Sequence, residues 1–231
     1  MNRTKIISKV FNEDCTIGMK RYPDNHFDLA VVDPQYGLNY DIKQNSDAKK
    51  GRKGTTGSWK QYEESNWDSE IPDKLYFNEL FRVSKNQIIW GGNMFFDFLP
   101  STKCVLIWDK LQKSISSDFE LAWTSFDSPP KAFRMTRLDA YVNNHETKIH
   151  PTQKPIELYE WIFRNYTNKK ALILDTHLGS GSSRIAAHKL GLSFIGFENN
   201  SYYYKKEEEW FKTYLKRPIP FFTPEQTNKH K

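Results

Sequence analysis

The sequence is poor in cysteine and in long apolar runs, and each shortage excludes a class of protein. Cys15 and Cys104 are the only cysteines in 231 residues, too few for a disulfide scaffold or for a zinc site built of cysteines. No apolar run is long enough to span a bilayer. The segment 1–11 lacks the apolar core of a secretory signal. We therefore expect a cytoplasmic protein with reduced cysteines and no membrane anchor.

Internal repeats are also absent, and the length of 231 residues suits a single domain spanning 1–231. Lysine and arginine total 34 against 28 acidic residues, which gives a net charge of +6. A basic surface attracts polyanions such as nucleic acids, although many basic proteins never bind them.

Strand and helix signals alternate along the chain, which predicts an α/β fold. Short apolar runs predict strands at 27–32, 87–90, 104–108, 119–126, 171–174 and 193–197. Apolar positions at helical spacing predict helices at 73–83, 155–166, 182–190 and 201–216. Between 41 and 70 lies a segment rich in lysine, glycine and serine, which is typical of a solvated, flexible insertion.

The segment from Asp175 to Glu198 has the pattern of a nucleoside-binding βαβ unit. The turn Gly179-Ser180-Gly181 separates a strand from a helix, and Glu198 follows the next strand. Glycines let backbone amides approach a ligand, and an acidic residue after the second strand can accept hydrogen bonds from ribose hydroxyls. Arg184 replaces the third glycine of the dinucleotide fingerprint, so the spacing favours S-adenosylmethionine over NAD. Glycines that serve packing alone are the alternative.

A second group of residues, Asp33-Pro34-Gln35-Tyr36, follows the predicted strand 27–32 at its carboxyl end, where α/β sheets place their ligands. The lone pair of an exocyclic base amine is delocalised, so methyl transfer to it requires acceptors for its two N–H bonds. Asp33 offers a carboxylate and Pro34 a carbonyl with no competing N–H. Tyr36 can stack on a base that has left the helix. Positioning and electrostatics suffice, without metal. A structural Asp-Pro turn is the alternative.

In combination, these motifs resemble the DNA amino-methyltransferases of the β arrangement, in which the catalytic motif precedes the cofactor motif. The family's Asp-Pro-Pro-Tyr is Asp33-Pro34-Gln35-Tyr36 here. Residues 150–155 match its His-Pro-Thr-Gln-Lys-Pro in full, and 175–181 correspond to its Asp-Pro-Phe-x-Gly-Ser-Gly. The resemblance implies a circularly permuted Rossmann-like methyltransferase fold with a mostly parallel, seven-stranded sheet. It also implies methyl transfer from S-adenosylmethionine to N6 of a flipped adenine in double-stranded DNA.

The resemblance assigns a cofactor site. Lys154 would be the counter-ion of the methionine carboxylate, and Asp175 would fix the glycine loop or bind the cofactor's amino group. The residues expected to bind the cofactor are Thr152, Gln153, Lys154, Asp175, His177, Gly179, Ser180, Gly181, Glu198 and Asn199. Gln35 replaces the family's second proline, and His177 replaces a phenylalanine. These departures predict a slightly more mobile catalytic loop and an altered cofactor affinity.

The resemblance places target recognition at 128–149, a short segment that predicts a short recognition site. Residues expected to contact DNA are Lys131, Arg134 and Arg137 in this segment and Lys49, Lys50, Arg52 and Lys53 in the basic insertion. A homodimer and a cognate restriction endonuclease are further partners that the family allows. No pair of histidines has metal-ligand spacing, so we expect no metal site.

Four other functions fit parts of the pattern. Methylation of cytosine N4 keeps the fold, but the family's cytosine enzymes more often carry serine where Asp33 stands, which favours adenine. RNA as substrate keeps the chemistry. A catalytically inactive nucleic-acid-binding homologue would explain Gln35 and His177 as traces of lost activity. A nicotinamide oxidoreductase leaves the Asp33–Tyr36 segment without a role.

Overall fold

The computed structural model describes residues 6–38, 70–111, 117–136, 139–140 and 148–216. The strands are β1 (Ser8–Phe11), β2 (Leu29–Val32), β3 (Gln87–Trp90), β4 (Val105–Asp109), β5 (Phe119–Thr124), β6 (Lys131–Arg134), β7 (Leu172–Asp175) and β8 (Ser193–Phe197). The helices are α1 (Cys15–Met19), α2 (Lys74–Val83), α3 (Ile156–Tyr166), α4 (Ser182–Lys189) and α5 (Ser201–Leu215), with a 3₁₀ turn at Gly92–Met94.

The strands form one sheet in the order β1-β8-β7-β2-β3-β5-β4-β6. Among the described strands only β5 is antiparallel to its neighbours, since it pairs that way with both β3 and β4. From β7 the chain continues outward to β8 on one side, and from β2 it continues to β3 on the other. The order therefore switches direction between β2 and β7, and ligands of open α/β sheets bind in the crevice at such a point.

Strand residues pointing to opposite faces build two cores. On β2, Val31 packs into a cluster with α3, α4 and α5, whereas Ala30 and Val32 pack into a second cluster with α1 and α2. All four residues of β2 are buried. A strand covered on both faces is a continuous apolar run in sequence, which explains the clear signal at 27–32.

The helices begin at recognisable caps. The Asp73 carboxylate accepts a hydrogen bond from the Tyr76 amide at 2.9 Å and opens α2. The Asn200 side chain accepts one from the Tyr202 amide at 2.9 Å and opens α5. Pro155 stands immediately before α3, where its missing N–H costs no hydrogen bond.

The α/β class and the mostly parallel sheet are confirmed, but the predicted number of strands is wrong and three short elements were not predicted. The described sheet has eight strands instead of seven. The segment 128–149 shows little periodicity, yet it contains the strand β6. This four-residue strand is stabilised by its parallel pairing with β4, which the local sequence does not encode. Neither β1 nor the five-residue α1 was predicted, because such short elements form through tertiary contacts.

Several expectations lie outside the described residues. These are residues 41–69 of the predicted insertion 41–70, with Lys49, Lys50, Arg52 and Lys53, and also Arg137. Within the described ranges, no helix is both long and apolar enough to cross a membrane, and no group of three or more His, Cys, Asp or Glu side chains is arranged to hold a metal ion.

Candidate active site

A cleft with a volume of about 370 Å³ opens at the carboxyl ends of β2, β7 and β8, at the switch point of the sheet. Its lining includes Asp33 and Gln35 after β2, Gly179 and Ser180 after β7, and Glu198 and Asn199 after β8. The two predicted motifs, far apart in sequence, thus share one cavity. Of the other residues predicted to bind the cofactor, Thr152, Gln153, Lys154 and His177 also line it.

The glycine loop, residues 176–181, takes a backbone path that favours glycine. Gly179 and Gly181 have φ of +54° and +79°, in the left-handed region where a Cβ is strained. A Cβ on Gly181 would also lie 2.4 Å from Cγ of Glu207, a side chain of α5 buried beneath the loop. Gly181 does not line the cleft. It precedes the first residue of α4, and its lack of a side chain lets α5 pack closely against the glycine loop.

Glu198 ties the end of β8 to the glycine loop. One carboxylate oxygen accepts a hydrogen bond from the Gly179 amide at 2.8 Å, and the other accepts one from the Asn200 amide at 2.8 Å. Burial raises the pKa of this carboxyl, and the two amides oppose that rise. The side chain is therefore fixed in direction before any ligand is bound.

Asp175 is buried behind the loop and does not line the cleft. Its carboxylate accepts hydrogen bonds from the Ser183 hydroxyl at 2.5 Å and from the His177 amide at 3.1 Å. Burial raises its pKa to about 7. Of the two roles expected for Asp175, this geometry supports fixing the glycine loop over direct contact with the cofactor.

His177 lines the cleft as one end of a hydrogen-bonded chain. Its Nδ1 lies 2.9 Å from the Thr176 hydroxyl, which lies 2.7 Å from the Tyr76 hydroxyl. The Tyr76 ring also packs edge-on against the imidazole, at 5.2 Å between centroids. Burial lowers the pKa of His177 to about 4, so the ring is neutral at pH 7 and can pack as an aromatic side chain.

Asp33 is held by two side chains, one on each carboxylate oxygen. The Tyr36 hydroxyl donates to Oδ1 at 2.5 Å, and the Lys154 ammonium donates to Oδ2. Gly91, with φ of +67°, packs against the Tyr36 ring, and a Cβ there would lie 2.2 Å from Cε1 of Tyr36. Pro34 is buried, and neither Pro34 nor Tyr36 is among the lining residues.

The segment 150–155 lies between the side of the cleft that contains Asp33 and the side that contains the glycine loop. The Gln153 side chain accepts a hydrogen bond from the Ile149 amide at 2.9 Å, which stabilises the turn. The His150 ring packs on Tyr203 at 4.3 Å between centroids, and burial lowers its pKa to about 3. Lys154 is buried and also lies 3.2 Å from Glu120 of β5. Lys154, the expected counter-ion of the methionine carboxylate, is here paired with two carboxylates of the protein itself.

Sequence reasoning missed part of this site. Asp14 and Cys15 at the start of α1, and Asn200 at the start of α5, also line the cleft. Asp14 had a local signal, because it accepts hydrogen bonds from the Thr16 and Ile17 amides as a helix cap. Glu120 had none, since only the antiparallel position of β5 brings it near Lys154.

Two predicted DNA contacts are described, and both lie on β6 at the edge of the sheet. Arg134 is 65% exposed at its side chain and lies 3.5 Å from Asp109 of β4. The Lys131 ammonium lies 3.5 Å from the Asn165 side-chain oxygen. Neither residue lines the cleft.

Comparison with known proteins gives consistent relatives. Residues 39–209 match the family model of the N6/N4 DNA methylases. YubD of Escherichia coli strain K12, a provisionally named methylase, is 24% identical over 222 residues, covering 88% of this chain and 89% of YubD. The match to the family begins after Tyr36, so it does not depend on the catalytic motif.

Solved structures show the same fold. A provisionally assigned DNA modification methylase from Thermus thermophilus, TTHA0409, superposes with a TM-score of 0.57 at 16% identity, covering 94% of this chain and 97% of that one. The same protein has been solved in complex with S-adenosylmethionine. The cytosine-N4-specific PvuII DNA methyltransferase superposes with a TM-score of 0.57 at 13% identity, covering 92% of each chain. On the extent of the family match, this chain belongs to the N6/N4 DNA methylase family.

Proposed function

We propose that this DNA methyltransferase transfers a methyl group to N6 of adenine, and that Asp33 and Pro34 hold the acceptor amine. The observation that carries the proposal is the shared cleft. Asp33 lines it after β2, while Gly179 and Glu198 line it after the neighbouring strands β7 and β8. A catalytic carboxylate and a nucleoside-binding carboxylate therefore face one cavity.

The cofactor is S-adenosylmethionine, and the lining residues fit its chemistry. Each Glu198 oxygen accepts one backbone amide and has capacity for a second donor, such as a ribose hydroxyl. Among the described residues, the cleft is lined by four carboxylates, Glu13 (paired with Arg21), Asp14, Asp33 and Glu198, and by one lysine, Lys154. Such a charge balance suits a ligand with a sulfonium and an ammonium, and it disfavours the pyrophosphate of a dinucleotide.

The protein's contribution to the reaction is positioning. When bound, the cofactor supplies an electrophilic methyl group. Asp33 already has a defined direction, because Tyr36 and Lys154 each hold one of its oxygens. The Asp33 carboxylate and the Pro34 carbonyl accept the two amine N–H bonds, which directs the nitrogen lone pair. The Tyr36 ring stacks on the flipped base.

Adenine is favoured over cytosine by Asp33, since the cytosine enzymes that the chain resembles more often have serine there. To test this, the purified protein methylates unmodified DNA, which is then digested to nucleosides and analysed by mass spectrometry. N6-methyldeoxyadenosine is the expected product. N4-methyldeoxycytidine would overturn the base assignment while leaving the site intact.

Asp33→Ala tests the catalytic assignment. We expect at least a 10³-fold loss of methyl transfer, because positioning and electrostatic terms at a catalytic carboxylate are worth about 4 kcal/mol or more. Calorimetric binding of S-adenosylmethionine should change little. Asp127→Ala is the matched control, since Asp127 is 79% exposed and pairs with the equally exposed Lys103. Turnover in Asp33→Ala close to that of the control would refute the role, and wild-type protein that binds no cofactor would favour an inactive homologue.

A further inference from the structure

Four side chains of alternating charge run from the catalytic motif into the sheet. The Lys154 ammonium contacts Asp33 and lies 3.2 Å from Glu120, and Glu120 lies 3.0 Å from the Lys110 ammonium. The series Asp33, Lys154, Glu120, Lys110 is electrically neutral. Each carboxylate in it lies within ion-pair distance of at least one lysine.

The two lysines are buried, which makes this arrangement costly to break. Their side chains are 3% exposed for Lys154 and 7% for Lys110. An ammonium removed from water needs nearby opposite charge and hydrogen-bond acceptors, and loss of a partner leaves an uncompensated charge. The Trp90 ring lies 5.3 Å from the Lys154 ammonium and adds a favourable aromatic face.

The sheet fixes where Glu120 lies. It stands on β5 opposite Trp108 of β4, and Lys110 follows the end of β4 directly. Lys154 precedes α3, on a separate part of the chain. Glu120 therefore joins the segment containing Lys154 to the central strands independently of any ligand.

We propose that Lys154 is the counter-ion of the catalytic carboxylate Asp33, and that Glu120, itself held by Lys110, is the positioning residue that keeps this ammonium in place. The inference rests on the proposed function. It differs from the expectation that Lys154 neutralises the methionine carboxylate, because Asp33 and Glu120 already compensate the charge of this ammonium.

The electrostatics of Lys154 agree with this role. Burial lowers its pKa, but Asp33 and Glu120 raise it by more, so that the net shift is upward. Burial likewise raises the pKa of Glu120, whereas Lys154 and Lys110 bring it below its ordinary value. Other titratable groups on which the charges of this cluster act are Tyr36, Tyr76, His150 and Asp175.

The first test is Glu120→Gln, which keeps the shape of the side chain and removes its charge. Without Glu120 the pKa of Lys154 should fall by about one unit or more, as expected for loss of an adjacent opposite charge. The lysine then deprotonates at lower pH, so the alkaline fall of kcat should begin at a lower pH in Glu120→Gln than in the wild type. At about pH 7.5 we expect kcat of Glu120→Gln to be about tenfold lower than that of the wild type, which corresponds to ~1.4 kcal/mol. Its affinity for the cofactor should stay within about twofold of the wild-type value.

Glu160→Gln is the matched control. Glu160 is a partly buried glutamate of α3 that pairs with Lys189 and lies outside the cleft lining. The Glu160→Gln variant should have the kcat, the pH profile of kcat and the cofactor affinity of the wild type. NMR titration of ¹⁵N-labelled lysine ammonium groups measures the Lys154 shift without relying on turnover.

The second test is Lys154→Met, which separates the two roles of this lysine. A counter-ion of Asp33 predicts a loss of kcat of about 100-fold with cofactor affinity within about threefold, because only the acceptor side is affected. A counter-ion of the methionine carboxylate predicts a tenfold or greater loss of affinity with kcat preserved at saturation, and that result would overturn the inference. A wild-type pH profile and lysine titration in Glu120→Gln would also overturn it. Wild-type protein that methylates no DNA refutes the proposed function instead, and the lysine titration still decides the inference.

Discussion

The two halves of the cleft hold their carboxylates by different means. In the cofactor half, formed by β7, β8 and the glycine loop, Glu198 and Asp175 accept hydrogen bonds from backbone amides and a serine hydroxyl. In the acceptor half, formed by the segment after β2 and backed by β4 and β5, Asp33 and Glu120 are paired with lysines. Neutral donors orient a carboxylate, whereas a lysine also supplies charge.

This difference is visible in the pKa values. Burial raises the pKa of Glu198 and that of Asp175, because amides and hydroxyls only partly offset the lost hydration. At Glu120 the two lysines lower the pKa by more than burial raises it, so the pKa lies below its ordinary value. A half that binds a cationic cofactor gains from carboxylates that carry no lysine partner. In the half that contains Asp33, the lysine supplies opposite charge as well as hydrogen bonds.

The largest expected effect on stability comes from the glycines that shape each half. Gly181→Ala and Gly91→Ala both place a Cβ within 2.5 Å of a side chain at positive φ, so we expect each to cost roughly 2–4 kcal/mol. Gly181→Ala displaces Glu207 and should weaken cofactor binding, whereas Gly91→Ala displaces Tyr36 and should lower kcat. Thermal unfolding, calorimetry and turnover measure the three outcomes.

Gly191→Ala is the control for backbone strain alone. Its φ of +67° is similar, but a Cβ there meets nothing nearer than 3.8 Å. The expected cost is about 1 kcal/mol with no change in binding or kcat. Equal losses of unfolding free energy in all three variants would show that the positive φ, and not the close contact of the Cβ, causes the destabilisation.

Glu198→Gln should separate affinity from rate. Hydrogen bonds to a charged acceptor contribute about 1.5–3 kcal/mol, so we expect affinity for S-adenosylmethionine to fall about 10- to 100-fold. The value of kcat at saturating cofactor should change much less, since Asp33 is held by other residues. A large loss of kcat with unchanged affinity would contradict the division between the halves.

The pH dependence of stability should differ between wild type and Asp175→Asn. Burial raises the Asp175 pKa from 3.8 to about 7, so the folded state binds an extra proton between these values. Stability from this group is full below pH 3.8 and is lost as the pH rises to about 7. Relative to wild type, the variant should therefore gain about 1.4 kcal/mol per pH unit at most over this window.

Denaturant unfolding at a series of pH values from about 5 to about 8 measures this difference. Glu207, whose pKa burial also raises to about 7, is present in both proteins and cancels, as do His150 and His177. A difference between wild type and variant that does not vary with pH would show that Asp175 is ionised throughout.

The smallest effect is expected at the sheet edge, outside both halves. Arg134→Met should weaken DNA binding a few-fold for all sequences and reduce the magnitude of the salt slope by about 1, as expected for one phosphate contact. Arg164→Met is the control, since Arg164 is 57% exposed and pairs with Glu160 on α3. A loss confined to one recognition sequence would indicate contact with a base edge.

Prediction from sequence was strongest where one strand carries its own signal. The runs at 87–90 and 193–197 coincide with β3 and β8, because central strands buried on both faces are continuous apolar stretches. It was weakest for β1, α1 and β6, which are short and are stabilised by neighbours distant in sequence. The same contrast holds in the site, where Glu198 was predicted and Glu120 was not.

The sequence by itself determined the family, the order of the motifs and the chemistry available at Asp33, Gly179 and Glu198, because these signals are local and consist of residue type and spacing. Only the tertiary structure decided which charges meet. Lys154 is in a motif, but its partners lie directly after β2 and on β5, and strand order brings them together. Local sequence cannot encode an ion pair between residues that are 121 positions apart.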